Sequence, residues 1–124
     1  MPKSVLIVDD SSLIRKALRR LFASDKNFAA LAEAANGREA IEKAKEVNPD
    51  LIVIDLSMPL MDGLAATRVL HRIMPRVPII MYSAFSDALP EEEARGAGVS
   101  AVISKSDVSS LMKKARSLCD QKAA

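Results

Sequence analysis

The chain of 124 residues contains one cysteine, one histidine, no tryptophan and only 3% aromatic residues. Each scarcity excludes something. A lone Cys119 permits no internal disulfide, and with no His/Cys cluster around it a bystander role in a reducing, cytoplasmic setting is expected. So few aromatics leave no base-stacking platform for single-stranded nucleic acid. Charge of one sign is missing too: 18 Lys and Arg against 16 Asp and Glu leave a formal +2, too little to point to nucleic acid or a membrane surface. No apolar run approaches the roughly 18 residues of a membrane span, and the N-terminus lacks the apolar core of a signal peptide. No repeat, low-complexity tract or linker breaks the chain. What remains is ordinary for a globular protein, 49% hydrophobic and 27% charged, and residues 1–124 are expected to form a single domain around one core.

Four short runs stand out: VLIV (Val5–Val8), LIVI (Leu51–Ile54), VPIIM (Val77–Met81) and SAVI (Ser100–Ile103). They are rich in Val and Ile and do not alternate with polar residues, which suits parallel strands covered on both faces. FAALAEA (Phe28–Ala34) reads as a fifth strand, and its poor β-formers place it at an edge. Between the runs the apolar period becomes helical. The stripes are Leu13, Ala17, Leu18, Leu21, Phe22; Ala40, Ile41, Ala44, Val47; Leu64, Ala65, Val69, Ile73; and Val108, Leu111, Met112, Ala115, Leu118. Ser86–Arg95 is the least amphipathic helix, with Ala88, Leu89 and Ala94 as its core contacts, and is expected to be the most mobile.

The punctuation agrees. Asn36-Gly37 turns the chain into the second helix, and Asn48-Pro49-Asp50 stops that helix. Asp62-Gly63 offers an N-cap, and Pro75 and Pro78 end the third helix. Gly96 and Gly98 supply left-handed positions after the fourth, and Ser106 caps the fifth with Asp107 in its first turn. Five alternations of strand and helix predict an α/β three-layer sandwich with right-handed crossovers. The common doubly wound order for five such units is 2-1-3-4-5, as in flavodoxin-like folds, with its ligand crevice at the carboxyl ends of strands 1 and 3.

That order brings carboxylates together. Strand 1 ends on Asp9-Asp10 and strand 3 on Asp55, while strand 4 ends at Ser83 and strand 5 at Lys105. Two carboxylate charges about 4 Å apart repel by roughly 4 kcal/mol at an effective dielectric of about 20, so the group calls for raised pKa values, a cation, or both. The donors are all oxygen, and three carboxylates with one ammonium leave a charge that one hard divalent ion, Mg²⁺ or Mn²⁺, would neutralise. The simpler alternative is that Asp9 and Asp10 cap the first helix. One Asp suffices for that, and a cap explains neither Asp55 nor Lys105. A carboxylate beside a divalent ion, with Lys105 and a hydroxyl such as Ser83 nearby, resembles the equipment for forming an aspartyl phosphate.

With these residues in view the whole chain resembles the receiver domain of two-component response regulators. VLIVDDSSLIRKAL, EAANGREAI, PDLIVIDLSMPLMDG, PIIMYSA and GVSAVISK follow that family's order and spacing. The resemblance implies that Asp55 accepts a phosphoryl group from a histidine of a sensor histidine kinase or a histidine phosphotransfer protein. It implies that Asp10 binds Mg²⁺ directly, Asp9 largely through water, and that the Ser57 main-chain carbonyl is a further ligand. Ser83 would contact the phosphate and Lys105 would pair with it. Phosphorylation would draw Ser83 and the following loop inward and repack the fourth helix and strand 5.

Two positions depart from the family pattern. Ser106 follows Lys105 where Pro is usual, a variant associated with receivers of helix-turn-helix regulators. Val102 stands where an aromatic switch residue is common, so an altered or weaker switch is expected. Other residues carry plainer readings. His71 is a surface histidine, and Met58 and Met61 pack a loop. Arg15, Lys16, Arg19 and Arg20 form either a solvated face or a kinase contact. Glu91, Glu92, Glu93 and Arg95 form either a solvated face or a partner surface. The competing functions are an interaction-only receiver and an Mg²⁺-dependent aspartate-nucleophile phosphatase. The phosphatase would want a second Asp where Ser57 stands. A flavin-binding fold would want a glycine- and hydroxyl-rich loop in place of Asp9-Asp10. The chain itself carries no DNA-binding or enzymatic output, so it acts either alone or as one domain of a longer regulator.

Overall fold

The computed structural model describes residues 2–84 and 89–123, apart from the side chains of Ala30, Leu31 and residues 121–123. Strands and helices alternate in the order β1 (Lys3–Val8), α1 (Ser12–Ala23), β2 (Phe28–Ala34), α2 (Gly37–Val47), β3 (Leu51–Ile54), α3 (Gly63–Ile73), β4 (Ile79–Ser83), α4 (Glu91–Ala97), β5 (Ala101–Ser104) and α5 (Val108–Ala123). The five strands form one parallel sheet in the order β2-β1-β3-β4-β5, as expected from the pattern. Winding reverses between β1 and β3, which pair from Val5–Leu51 to Val8–Ile54.

Because side chains alternate across a strand, the central strands feed two cores. Leu6, Val8, Ile52, Ile54, Ile79 and Met81 pack against α2, α3 and α4. Val5, Ile7, Leu51, Val53, Ile80 and Tyr82 pack against α1 and α5. β1 and β3 are apolar on both sides because both sides are covered. β5 is not: all four of its residues are half-buried, and it forms the edge opposite β2.

Several boundaries and faces differ from the sequence pattern. β1 begins two residues earlier, and β4 runs from Ile79 to Ser83 rather than from Val77 to Met81. Pro78 has no N–H to give a ladder, and the Val77 N–H is spent on the Met74 carbonyl at 3.1 Å. β5 lies one residue later than expected, at Ala101–Ser104. α1 buries Leu18 and Phe22, with Ile14 and Leu21 half-buried beside them, while Leu13 is 78% exposed and Ala17 is exposed. α3 buries Ala66, Thr67 and Leu70 along with Leu64, and leaves Ile73 exposed. On α5, Val108 is exposed and Cys119 is core. α4 extends to Ala97, so Gly96 is helical and only Gly98, at φ 104°, takes the left-handed C-cap. Of the expected Ser86–Arg95 helix, residues 86–88, Ala88 included, lie outside the described residues. Asp107, not Ser106, caps α5: its carboxylate accepts from the Ser110 N–H at 3.2 Å. Asn36 and Asp62 cap α2 and α3, and Asn48 closes α2 at φ 48°.

Candidate functional site

The carboxyl ends of β1 and β3 are locked side by side, since the Asp55 N–H donates to the Val8 carbonyl at 2.9 Å. Asp9 and Asp55 are therefore buried, at 1% and 6% exposure, and Asp10 stands exposed beside them. Carboxylate oxygens of all three lie within 4.8 Å of one another. Lys105 reaches in from the end of β5, its Nζ 2.8 Å from Asp9 Oδ2 and 3.4 Å from Asp55 Oδ1. Burial, and then the neighbouring Asp9 charge, push the Asp55 pKa above its ordinary value, with Lys105 opposing. Burial alone would lower the Lys105 pKa, but the Asp9 hydrogen bond and the charges of Asp55 and Asp9 outweigh it and hold it above the ordinary value.

Neither Asp9 nor Asp10 caps α1. Ser11 does, accepting from the Ile14 N–H at 3.3 Å, while Asp9 Oδ1 accepts from the Ser11 N–H at 2.9 Å. The first helix thus needs neither aspartate at its start, and both belong to the cluster. Ser83 ends β4 fully buried, its carbonyl accepting from the Lys105 N–H at 3.2 Å. Ser57 is exposed in the loop two residues beyond Asp55. The donor set contains oxygen only, and three carboxylates against one ammonium leave net negative charge. That chemistry fits a hard divalent cation.

Some supporting residues escaped the sequence pattern. Arg15 is not on a solvated face: its guanidinium donates to the Asp9 main-chain carbonyl at 2.6 Å and pairs with Glu33 of β2 at 3.0 Å. Arg19 also holds Glu33 at 3.0 Å. In sequence Arg15 is one of four basic residues on α1, and nothing in spacing marks it out. Gly63 lets α3 start against the site, since a Cβ there would stand 1.9 Å from the Asp55 carbonyl oxygen, and its N–H donates to Leu56 at 2.7 Å. Met58 and Met61 pack the loop against the core as expected. His71 is exposed on α3, away from the cluster.

Comparison with known proteins agrees with this geometry. A family model described as the response regulator receiver domain matches residues 5–116. Among curated proteins, a protein-glutamate methylesterase/protein-glutamine glutaminase of Carboxydothermus hydrogenoformans is 46% identical over 107 residues. Those residues are 83% of this chain and 29% of that protein. One of Paramagnetospirillum magneticum is 43% identical over 109 residues, 86% of this chain and 30% of that protein. The chain therefore spans under a third of these relatives' length. Among solved structures, the response regulator domain of Thermotoga maritima CheB superposes with a TM-score of 0.89 at 27% identity, covering 97% of this chain and 98% of that one. A CheX–CheY–BeF3–Mg complex from Borrelia burgdorferi gives 0.76 at 32% identity, covering 84% of this chain and 78% of that one.

Proposed function

Since the chain belongs to the response regulator receiver family, signalling domains of two-component systems, we propose that residues 1–124 form one cytoplasmic receiver domain phosphorylated on Asp55. The donor is a phosphohistidine of a sensor histidine kinase or a histidine phosphotransfer protein. An Asp55 oxygen attacks phosphorus; the new P–O bond forms as the P–N bond breaks, and the imidazole leaves with the bonding pair and takes up a proton. Lys105 keeps Asp55 anionic against its burial and neutralises charge on the transferring oxygens. The Ser83 hydroxyl donates to a phosphoryl oxygen. Asp9, Asp10, Asp55 and the Ser57 carbonyl are the groups that would hold Mg²⁺ or Mn²⁺. When bound, that ion supplies further positive charge for the phosphoryl oxygens.

The observation that carries this reading is the convergence of Asp55, Asp9, Asp10 and Lys105 at the one place where the winding of the sheet reverses. The output is a protein surface, with no contact to nucleic acid or membrane by this chain. Among the described residues no helix is long and apolar enough to cross a membrane. Val102, half-buried against the core under α4, has no ring to rotate, and the conformational response is correspondingly altered or weak.

The test is intact mass after incubation with acetyl phosphate, with and without Mg²⁺, alongside Asp55→Asn. A metal-dependent gain of one phosphoryl group in the native protein alone is expected. No gain in a folded protein with magnesium present would make this an interaction-only receiver. Equal labelling of Asp55→Asn would mean a different nucleophile.

A further inference from the structure

Lys105 enters the site from a short turn closed by the Asp107 N–H on the Ser104 carbonyl at 2.9 Å. β5 ends at Ser104 and α5 starts at Val108, and between them Ser106 and Asp107 are exposed. The Ser106 hydroxyl meets only that of Ser104, at 2.8 Å, among the described residues. A four-carbon side chain on such a connection would have many ways to miss Asp9 and Asp55. What ties this turn to the edge of the site is β4. The Lys105 N–H is held by the Ser83 carbonyl at 3.2 Å, and the Lys105 carbonyl accepts from the Tyr82 hydroxyl at 3.0 Å. Two consecutive residues of one strand thus take both main-chain polar groups of the lysine.

Tyr82 is suited to the task. It is the only tyrosine in the chain and is 5% exposed, with its ring packed in the α1–α5 core and only the hydroxyl reaching the β5–α5 connection. A ring clamped among β4, α1 and α5 fixes where its oxygen lies, because a buried phenol has little rotamer freedom left. Burial also pushes the phenol pKa above its ordinary value, so the hydroxyl keeps the proton it donates.

We infer that Tyr82 is a positioning residue for Lys105: its core-anchored hydroxyl holds the main chain of the lysine so that the ammonium stands between Asp9 and Asp55. The inference rests on the reading of Asp55 as phosphoacceptor for its meaning, but not for its test. Tyr82 touches none of the reacting atoms and acts only through the lysine.

The experiment compares the native protein, Tyr82→Phe and a control, Cys119→Ala, which trims the same core at the far end of α5. The first readout is the position of the Lys105 ammonium relative to Asp9 and Asp55 in crystal structures of the metal-free native protein and the variants. The second is the rate of phosphorylation by acetyl phosphate with Mg²⁺, read by intact mass. In Tyr82→Phe the ammonium is expected to leave its place between Asp9 and Asp55, and phosphorylation to slow several-fold. Cys119→Ala is expected to show neither change, although it too loses thermal stability. Native ammonium position and native rate in a folded Tyr82→Phe would overturn the inference. If the native protein takes no phosphoryl group, the reading of Asp55 fails while the ammonium position still decides the role of Tyr82. Exchange of the Tyr82 hydroxyl proton in the native protein decides it should the variant not fold: slow exchange is expected, and fast exchange overturns the inference.

Discussion

Asp55 sits in surroundings that make its charge costly and useful at once. Raised above its ordinary value by burial and by Asp9, its pKa is higher in the folded chain than in the unfolded one. Between those two values the folded state binds more protons, so stability falls as pH rises through that window. Asp55→Asn removes the penalty. In metal-free protein at pH 7 it is expected to raise the unfolding free energy. The gain should vanish as pH falls below the ordinary value of 3.8, where both states carry a neutral group. Urea melts of the two proteins at neutral and acid pH measure this. Leu60 carries a different strain. It has φ 68° and is 77% exposed, in a three-residue turn closed by the Met61 N–H on the Pro59 carbonyl at 2.7 Å. A leucine gains nothing there, whereas Gly has no Cβ to strain at positive φ. Leu60→Gly is expected to stabilise by about 0.5 kcal/mol in the same melts.

At the scale of elements, α1 separates pattern from packing. Its apolar positions allow two adjoining faces, and the face that meets the sheet is the one containing Ile14, Leu18 and Phe22. Leu13→Gln is accordingly expected to stay within about 0.5 kcal/mol of the native stability, while Leu18→Ala costs about 2–4 kcal/mol through the cavity it leaves. Thermal melts of the pair decide which face is core. α3 and the site meet at Gly63. A methyl group there would collide with the Asp55 main chain, and neither backbone segment yields cheaply. Gly63→Ala is expected to lose at least about 2 kcal/mol of stability and to shift the Asp55 amide resonance, which a heteronuclear NMR spectrum shows directly.

At the scale of the whole molecule, the carboxyl edge of the sheet carries an excess of negative charge held together by Lys105 and by packing from both faces. An ion that binds the folded state alone adds stability by mass action, about 1.4 kcal/mol at ten times its dissociation constant. Magnesium is therefore expected to raise the melting temperature of the native protein more than sodium at equal ionic strength. The increment should shrink in Asp10→Asn, whose exposed side chain contributes little to the fold itself. An equal increment in both proteins would remove Asp10 from the ion's ligands.

The alternation of apolar runs with helical stripes was enough to settle the number and sequence of the elements and their parallel pairing, because short Val/Ile runs without polar alternation suit a sheet covered on both faces. The strand order came from the common doubly wound topology for five such units. The candidate site was legible in part for the same reason: a doubly wound sheet puts the ends of its strands at one edge, so Asp9, Asp10, Asp55 and Lys105 converge once the order is known. The rotation of each helix was decided only in three dimensions. Leu13 and Ile14, or Val69 and Leu70, are equally apolar neighbours, and which one is buried depends on the crossing of helix and sheet. So were the supports of the site. Arg15 on the Asp9 carbonyl, Gly63 against Asp55 and Tyr82 on the Lys105 carbonyl all act on main-chain atoms, and a main-chain partner leaves no mark in the sequence of the residue it holds.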